Sequence, residues 1–379
     1  MSPGVVPAEN SKPHVLVASS THRIGYGVPV VVSRHVRALL EAGFEVTVAG
    51  PSSETDFTYD GASRIDFHAP AQVAEWALSN GVDVIWAHTP PYYSVARWLG
   101  GQIPVIAYDY GEPMAWLFPD WVQREKVNHD KDLAFASCDR VYAISESVET
   151  EARQKQNGIV PLGNDHLEQW NDEFNERREI LRSKRGWADS RIVLNVCRFT
   201  EEERRYKGID RFLECMRLTK TLDIAFEDQW RFVLCGRGES SDVELLTEYG
   251  LEVYPDLPDD ELVDMYTAAD AYANFSKWEG YNLGIGQALA LGLPVVASDN
   301  PAHRAFGIDT FADTGAAAKR LIELLNAPPP RFPRCWSWER SNQSIIDITR
   351  EVIGLQPLPE HKRSLRMGKD VESSASVLD

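Results

Sequence analysis

The sequence predicts an α/β protein built from two Rossmann-like parallel-sheet domains that face a central cleft. Three observations predict it. At 379 residues the chain is long for one domain and suits two. From residue 14 onward, short apolar runs alternate with amphipathic helical stretches, the pattern of parallel strands joined by helices. That pattern restarts at Arg191 after a polar stretch, so a second unit follows the first.

The first half opens on the strand His14–Ser19. A turn holding Gly25, Tyr26 and Gly27 leads into a helix with Val32, Val36, Leu39 and Leu40 on one face. Gly43 ends that helix, and residues 44–49 form the second strand. Further strands are predicted at 82–87, 104–108 and 140–144. Ser145 then caps a helix with Glu149 and Glu151 near its start, where the helix dipole favours carboxylates. Residues 161–165 (PLGND) read as a hinge, and 173–185 as a charged helix. The second half carries strands at 191–197, 230–235, 251–254, 271–275 and 294–297. Three prolines at 328–330 break the pattern before a last helix at 336–355. The predicted organisation is a flexible leader over 1–12, a first domain over 13–168 completed by 337–356, a second domain over 169–336, and a disordered polar tail over 357–379.

Composition narrows the function. With 57 acidic against 39 basic residues the net charge is −18, which disfavours nucleic acid and anionic lipid as partners. No apolar run approaches the roughly 18 residues of a membrane span. The first residues lack a basic region followed by an apolar one, so a cytoplasmic location is the expectation. The five cysteines, at 138, 197, 215, 235 and 335, show no C-x-x-C spacing and read as reduced thiols. The nine histidines include no H-x-x-x-H pair, and no metal site is predicted.

Four constellations could carry chemistry. The first is residues 274–300 (NFSKWEGYNLGIGQALALGLPVVASDN), a strand, a loop with Glu279 and Gly280, and a helix from Leu283. Amides at such a helix start suit phosphate, and glycines at 280, 284 and 286 would let a ligand approach the backbone. The second is the loop from Arg198 to Lys207, two cations positioned to neutralise a pyrophosphate. The third is the Gly25-Tyr26-Gly27 turn. The fourth pairs His88 with Asp109, each just after or at the end of a strand. In each case a plain structural role, as turn, cap or solvated loop, remains open on spacing alone.

Taken together and in order, these residues resemble glycosyltransferase family 4 over roughly residues 14–355. Glu279 to Gln287 (EGYNLGIGQ), with the ALALGLPVVAS that follows, is similar to that family's E-x7-E signature and its tail. The resemblance implies the GT-B fold and a retaining, metal-independent transfer of a sugar from a UDP-, GDP- or other nucleotide sugar to a hydroxyl acceptor, without a cofactor. It implies that Arg198 and Lys207 bind the diphosphate and that Glu279 contacts the transferred sugar. Asn282, Leu283 and Gly284 would offer amides, Gln287 would bond the ribose, Leu257 would meet the base with its backbone, and Gly27 would approach the donor. Glu279, Arg198, Lys207, Asp109 and His88 form the expected catalytic set. The sequence departs from the family pattern at three places. Gln287 stands at the second Glu, Tyr26 at the first glycine of a Gly-Gly turn, and Asp109 where many members carry a histidine. Gln287 and Asp109 keep open a homologue that binds nucleotide sugar or a partner protein without turnover, and a sugar-nucleotide epimerase of the same fold is a second alternative.

The expected acceptor is a saccharide or small molecule, with membrane contact peripheral at most. Residues 13–165 hold 19 Asp and Glu against 11 Lys and Arg, which argues against an anionic lipid surface. Tyr92, Tyr93, Trp98, Tyr108, Tyr110, Trp116, Phe118 and Trp121 lie near the predicted mouth, where aromatic faces would suit sugar rings.

Overall fold

The computed structural model describes residues 12–53 and 57–356. The leader predicted over 1–12, save Lys12, and the tail over 357–379 lie outside the described residues. Two six-stranded sheets make up the architecture. The first holds β1 (His14–Ala18), β2 (Glu45–Ala49), β3 (Ser63–Ile65), β4 (Val84–Ala87), β5 (Val105–Asp109) and β6 (Arg140–Ala143), in the order β3-β2-β1-β4-β5-β6. The second holds β7 (Arg191–Val196), β8 (Trp230–Gly236), β9 (Glu252–Pro255), β10 (Ala271–Asn274), β11 (Val295–Ser298) and β12 (Thr310–Phe311), in the order β12-β11-β10-β7-β8-β9. Every paired strand runs parallel.

The central strands are apolar on both faces because helices cover both faces. In β1, Val15 and Val17 join one core and Leu16 and Ala18 the other. In β7, Ile192 and Leu194 face one side while Val193 faces the opposite one. The edge strands β3 and β12, three and two residues long, are too short for alternation to reveal.

The last helix is shorter than the sequence suggests, spanning Glu339–Val352. It follows the second domain in sequence but packs on the first, where Trp338, Ile345 and Ile346 share a core with Val31, Val32, Val36 and Leu39. Buried hydrogen bonds fix it there, from Trp86 Nε1 to Thr349 Oγ1 at 2.9 Å and between His35 Nε2 and Ser341 Oγ at 3.0 Å. Cutting Ile345 or Ile346 to alanine in such a core costs about 2–5 kcal/mol.

Two stretches of chain cross between the domains side by side. Asn164, fully buried, accepts from the Trp336 amide at 2.6 Å and donates to Gly286 O and Arg334 O at 2.8 and 2.9 Å. Within the segment 161–165, expected as a hinge, Asn164 thus ties the two crossing stretches together.

Candidate active site

The carboxyl ends of both sheets open onto one cavity of about 490 Å³, within the size range of small-molecule sites. Thr21, His88, Tyr110 and Ile144 line it from the ends of β1, β4, β5 and β6. Val196, Arg198, Gly236, Leu257 and Glu279 line it from the ends of β7 to β10.

On the second-domain side, Lys207 Nζ lies 2.9 and 3.1 Å from the two oxygens of Glu279. Burial works against the Lys207 ammonium, but Glu279 and then Tyr206 outweigh it and raise its pKa. Arg198 donates to Tyr206 Oη at 2.8 Å and pairs with Glu203 at 2.7 Å. Its pKa is likewise raised, burial opposing and Tyr206 and Glu203 prevailing. Both cations stay charged at the cavity wall. Asn282 caps the helix Leu283–Ala290 by accepting from the Ile285 amide at 3.1 Å. The amides of Leu283 and Gly284, lacking intrahelical acceptors, lie at the same wall. Two cations and a helix start thus converge where an anion would be stabilised.

Packing also requires the glycines of this loop. A Cβ on Gly280 would run into the Tyr110 carbonyl of the first domain, and one on Gly284 into the Tyr272 hydroxyl. A Cβ on Gly286 would press on Asn164 Cβ at 3.1 Å. The Gly280 approach is one of several clasps across the cleft. Ser145 Oγ donates to Gly280 O at 2.6 Å, and Trp278 Nε1 donates to Glu151 Oε2 at 2.8 Å. Leu117, Phe118, Tyr206 and Trp278 form a small buried cluster between the domains. Gly27, at the start of the first helix, sits close enough to Leu283 that a Cβ would meet its Cδ1 at 3.1 Å.

Gln287 lines the cavity, but its amide is engaged within the protein. Tyr266 Oη donates to Oε1 at 2.9 Å, and Nε2 lies 2.6 Å from His166 Nε2. Burial lowers the His166 pKa to about 4, so the ring is neutral.

The first-domain side corrects one expectation. Asp109 does not line the cavity. It is buried in an ion pair with Lys131 at 3.1 Å and accepts from the Gly111 amide at 2.8 Å and from Gln156 Nε2 at 2.7 Å. It neutralises a buried ammonium and anchors the turn after β5. Three residues later, Glu112 does line the cavity, and burial raises its pKa. His88 lines it too. Its Nδ1 lies 2.9 Å from Tyr110 Oη, its buried Nε2 meets no partner among the described residues, and burial lowers its pKa to about 3.

The aromatic residues expected at the mouth divide into three groups. Tyr93, Tyr110 and Phe118 line the cavity. Tyr92 and Tyr108 are core, their hydroxyls bonded to Phe67 O and Val160 O. Trp98, Trp116 and Trp121 are exposed and lie off the cavity lining. Sequence reasoning missed Tyr206, Glu203, Glu112 and Trp278. Glu112 and Trp278 carried a usable signal, since each lies just beyond a strand end. Tyr26, read only as a departure, stacks its ring under two arginines of the opposite domain, Arg198 at 4.9 Å and Arg237 at 5.4 Å. Among the described residues no three His, Cys, Asp or Glu side chains gather in a way that could hold a metal ion.

Residues 25–161 match the family model described as Glycosyltransferase Family 4, and residues 190–327 match that for Glycosyl transferases group 1. No curated protein matches the sequence. Among solved structures, the chain is similar to a sucrose-phosphate synthase from Thermosynechococcus elongatus, at 18% identity and a TM-score of 0.65, covering 94% of this chain and 97% of that one. It is also similar to Anabaena HepE in complex with UDP and glucose, at 14% identity and a TM-score of 0.64, covering 94% and 98%. A trehalose 6-phosphate synthase from Burkholderia multivorans follows at 11% identity and a TM-score of 0.62, covering 91% and 95%.

Proposed function

The chain belongs to glycosyltransferase family 4 and has the GT-B fold, and on that premise we propose that it moves a sugar from a nucleotide diphosphate sugar to a hydroxyl of a saccharide-like or small-molecule acceptor, with retained anomeric configuration and without a metal. The observation that carries this reading is the convergence of Arg198, Lys207 and the helix start at Leu283 on one cavity wall, with Glu279 held beside them by Lys207.

In this mechanism the acceptor hydroxyl attacks on the face that the diphosphate leaves, forming the new C–O bond as the anomeric C–O bond to phosphate breaks. Its proton passes to the departing diphosphate. Arg198, Lys207 and the helix amides stabilise the charge that develops there, the role of preformed donors in a water-poor site. Glu279 orients the sugar. His88, with an unpartnered ring nitrogen, and Glu112 supply partners for sugar or acceptor hydroxyls. Tyr93, Tyr110 and Phe118 offer the acceptor aromatic faces. No helix among the described residues is long and apolar enough to cross a membrane.

A thermal-shift panel of nucleotide sugars tests the donor, since stabilisation grows with concentration over Kd. UDP-glucose belongs in it because one HepE structure is a complex with it. A hit followed by nucleoside diphosphate release on adding acceptor supports the reading; no stabilisation by any nucleotide sugar overturns it. The engaged amide of Gln287 favours one second reading, a binding module without turnover, which would show stabilisation and no release.

A further inference from the structure

The ring of His303 is fully buried behind the Glu279 loop, at the end of a four-residue helix that the reading above does not use. Its Nε2 lies 3.0 Å from Asn282 Nδ2. Its Nδ1 lies 2.9 Å from the Ser298 carbonyl, 3.3 Å from Ser298 Oγ and 3.0 Å from Asn300 Nδ2. These contacts determine which nitrogen carries the proton. Asn282 must aim its carbonyl oxygen at the Ile285 amide to cap the helix, so its NH2 faces the imidazole. An NH2 group can only donate, so Nε2 is bare and accepts. The proton then sits on Nδ1, where the Ser298 carbonyl receives it. Asn300 Nδ2 has its own acceptor, Ser276 O at 3.0 Å, and the Ser298 hydroxyl donates to Ser276 O at 2.6 Å. The chain of contacts ends at the anion wall, because Asn282 Nδ2 also lies 3.5 Å from Glu279 Oε1.

We propose that His303, as its neutral Nδ1–H tautomer, is a positioning residue for the donor diphosphate: its bare Nε2 fixes the Asn282 amide, and so the helix cap and the setting of Glu279. An asparagine side chain is nearly symmetric in shape, and nothing in its own geometry prefers carbonyl inward. The Ile285 amide sets the preference from one side, and the imidazole reinforces it from the other, from a residue outside the cavity lining. Burial, the largest influence, lowers the His303 pKa, with Glu279 and the Ser298 carbonyl opposing, which agrees with a neutral ring.

The inference rests on the donor reading, and its test separates the two. Nitrogen-15 NMR of histidine-labelled protein, with His303 assigned by its absence in His303→Gln, reads the tautomer directly at neutral pH. The expected result is a protonated Nδ1 and a bare Nε2; an Nε2–H or doubly protonated ring overturns the inference. Calorimetry with inorganic pyrophosphate then reads the consequence. His303→Ala should bind about 10-fold more weakly than wild type, the scale of a lost cap. His303→Gln, whose side-chain oxygen can replace Nε2 as acceptor, should recover to within about 3-fold. Equal weakening in both variants would mean that the ring matters only for packing, and equal binding by all three proteins would remove His303 from the site. Wild-type protein that ignores pyrophosphate would instead overturn the donor reading itself, and the role of His303 toward a diphosphate with it.

Discussion

Lys207 and Glu279 face each other across 2.9 Å at the cavity wall, 12% and 10% exposed, so removing either strands a nearly buried charge on the other. Arg198→Ala and Lys207→Ala are each expected to lower kcat/KM by on the order of 10²-fold, as loss of a charge-stabilising donor does. Lys207→Ala should also cost about 3–5 kcal/mol of stability through the orphaned carboxylate. Steady-state kinetics and urea melts check both; near-normal kinetics in the two variants would remove them from the diphosphate site.

Gln287→Glu tests the contact at 2.6 Å with His166. A carboxylate there stabilises the imidazolium, so the His166 pKa should rise from about 4 by more than one unit. An NMR titration of the ring protons reads it directly. An unmoved midpoint would show that the two side chains do not meet in solution.

Tyr26→Ala removes a ring that Arg198 and Arg237 share across the cleft, at 4.9 and 5.4 Å. Each cation–π contact contributes about 0.5–2 kcal/mol, so the closed arrangement should weaken. Small-angle scattering of the unliganded variant is expected to show a larger radius of gyration than wild type. Identical profiles would mean that the other clasps, at Gly280 and Trp278, suffice.

Activity is expected to survive excess EDTA, because Arg198, Lys207 and the helix amides occupy the place where a metal would otherwise offset diphosphate charge. Loss on chelation, restored by magnesium or manganese, would refute this.

Stability should fall with acid through the buried histidines. His88 and His166 have folded pKa values of about 3 and about 4, below the ordinary value of about 6.5. The unfolded chain therefore takes up protons first. Their contribution is fully present above pH ~6.5 and is lost as pH falls toward those folded values, by up to about 1.4 kcal/mol per pH unit for each ring. Glu112, with its pKa raised, acts in the opposite sense. Comparing urea melts of wild type and His88→Gln at several pH values isolates one ring. A stability difference that stays constant between pH 7 and 4 would contradict the assignment.

The long central strands were legible because helices cover both faces, as the unbroken apolar run of β1 shows. β3 and β12 were not, since two or three residues carry no period. At the site, Arg198 and Glu279 were found because each lies just past a strand, where an open α/β sheet presents its ligands, and Lys207 because it closes the polar loop that starts at Arg198. Asp109 sits at such a place as well, but a strand end does not reveal that a lysine 22 residues on turns the carboxylate inward. The glycines at 280 and 284 line the cavity, but that Tyr110 and Tyr272 also crowd them was not visible in the sequence. The pairing of Asn282 with His303 spans 21 residues and leaves no pattern in the sequence.

The docking of the final helix onto the first sheet also orders events during synthesis. The core around Val32 and Leu39 lacks Trp338, Ile345 and Ile346 until those residues leave the ribosome. At about 5–20 residues per second, the roughly 200 residues between β6 and that helix take roughly 10–40 s to make. For that interval the first domain waits with an apolar groove uncovered while the second is still being made, so the half translated first is the half completed last.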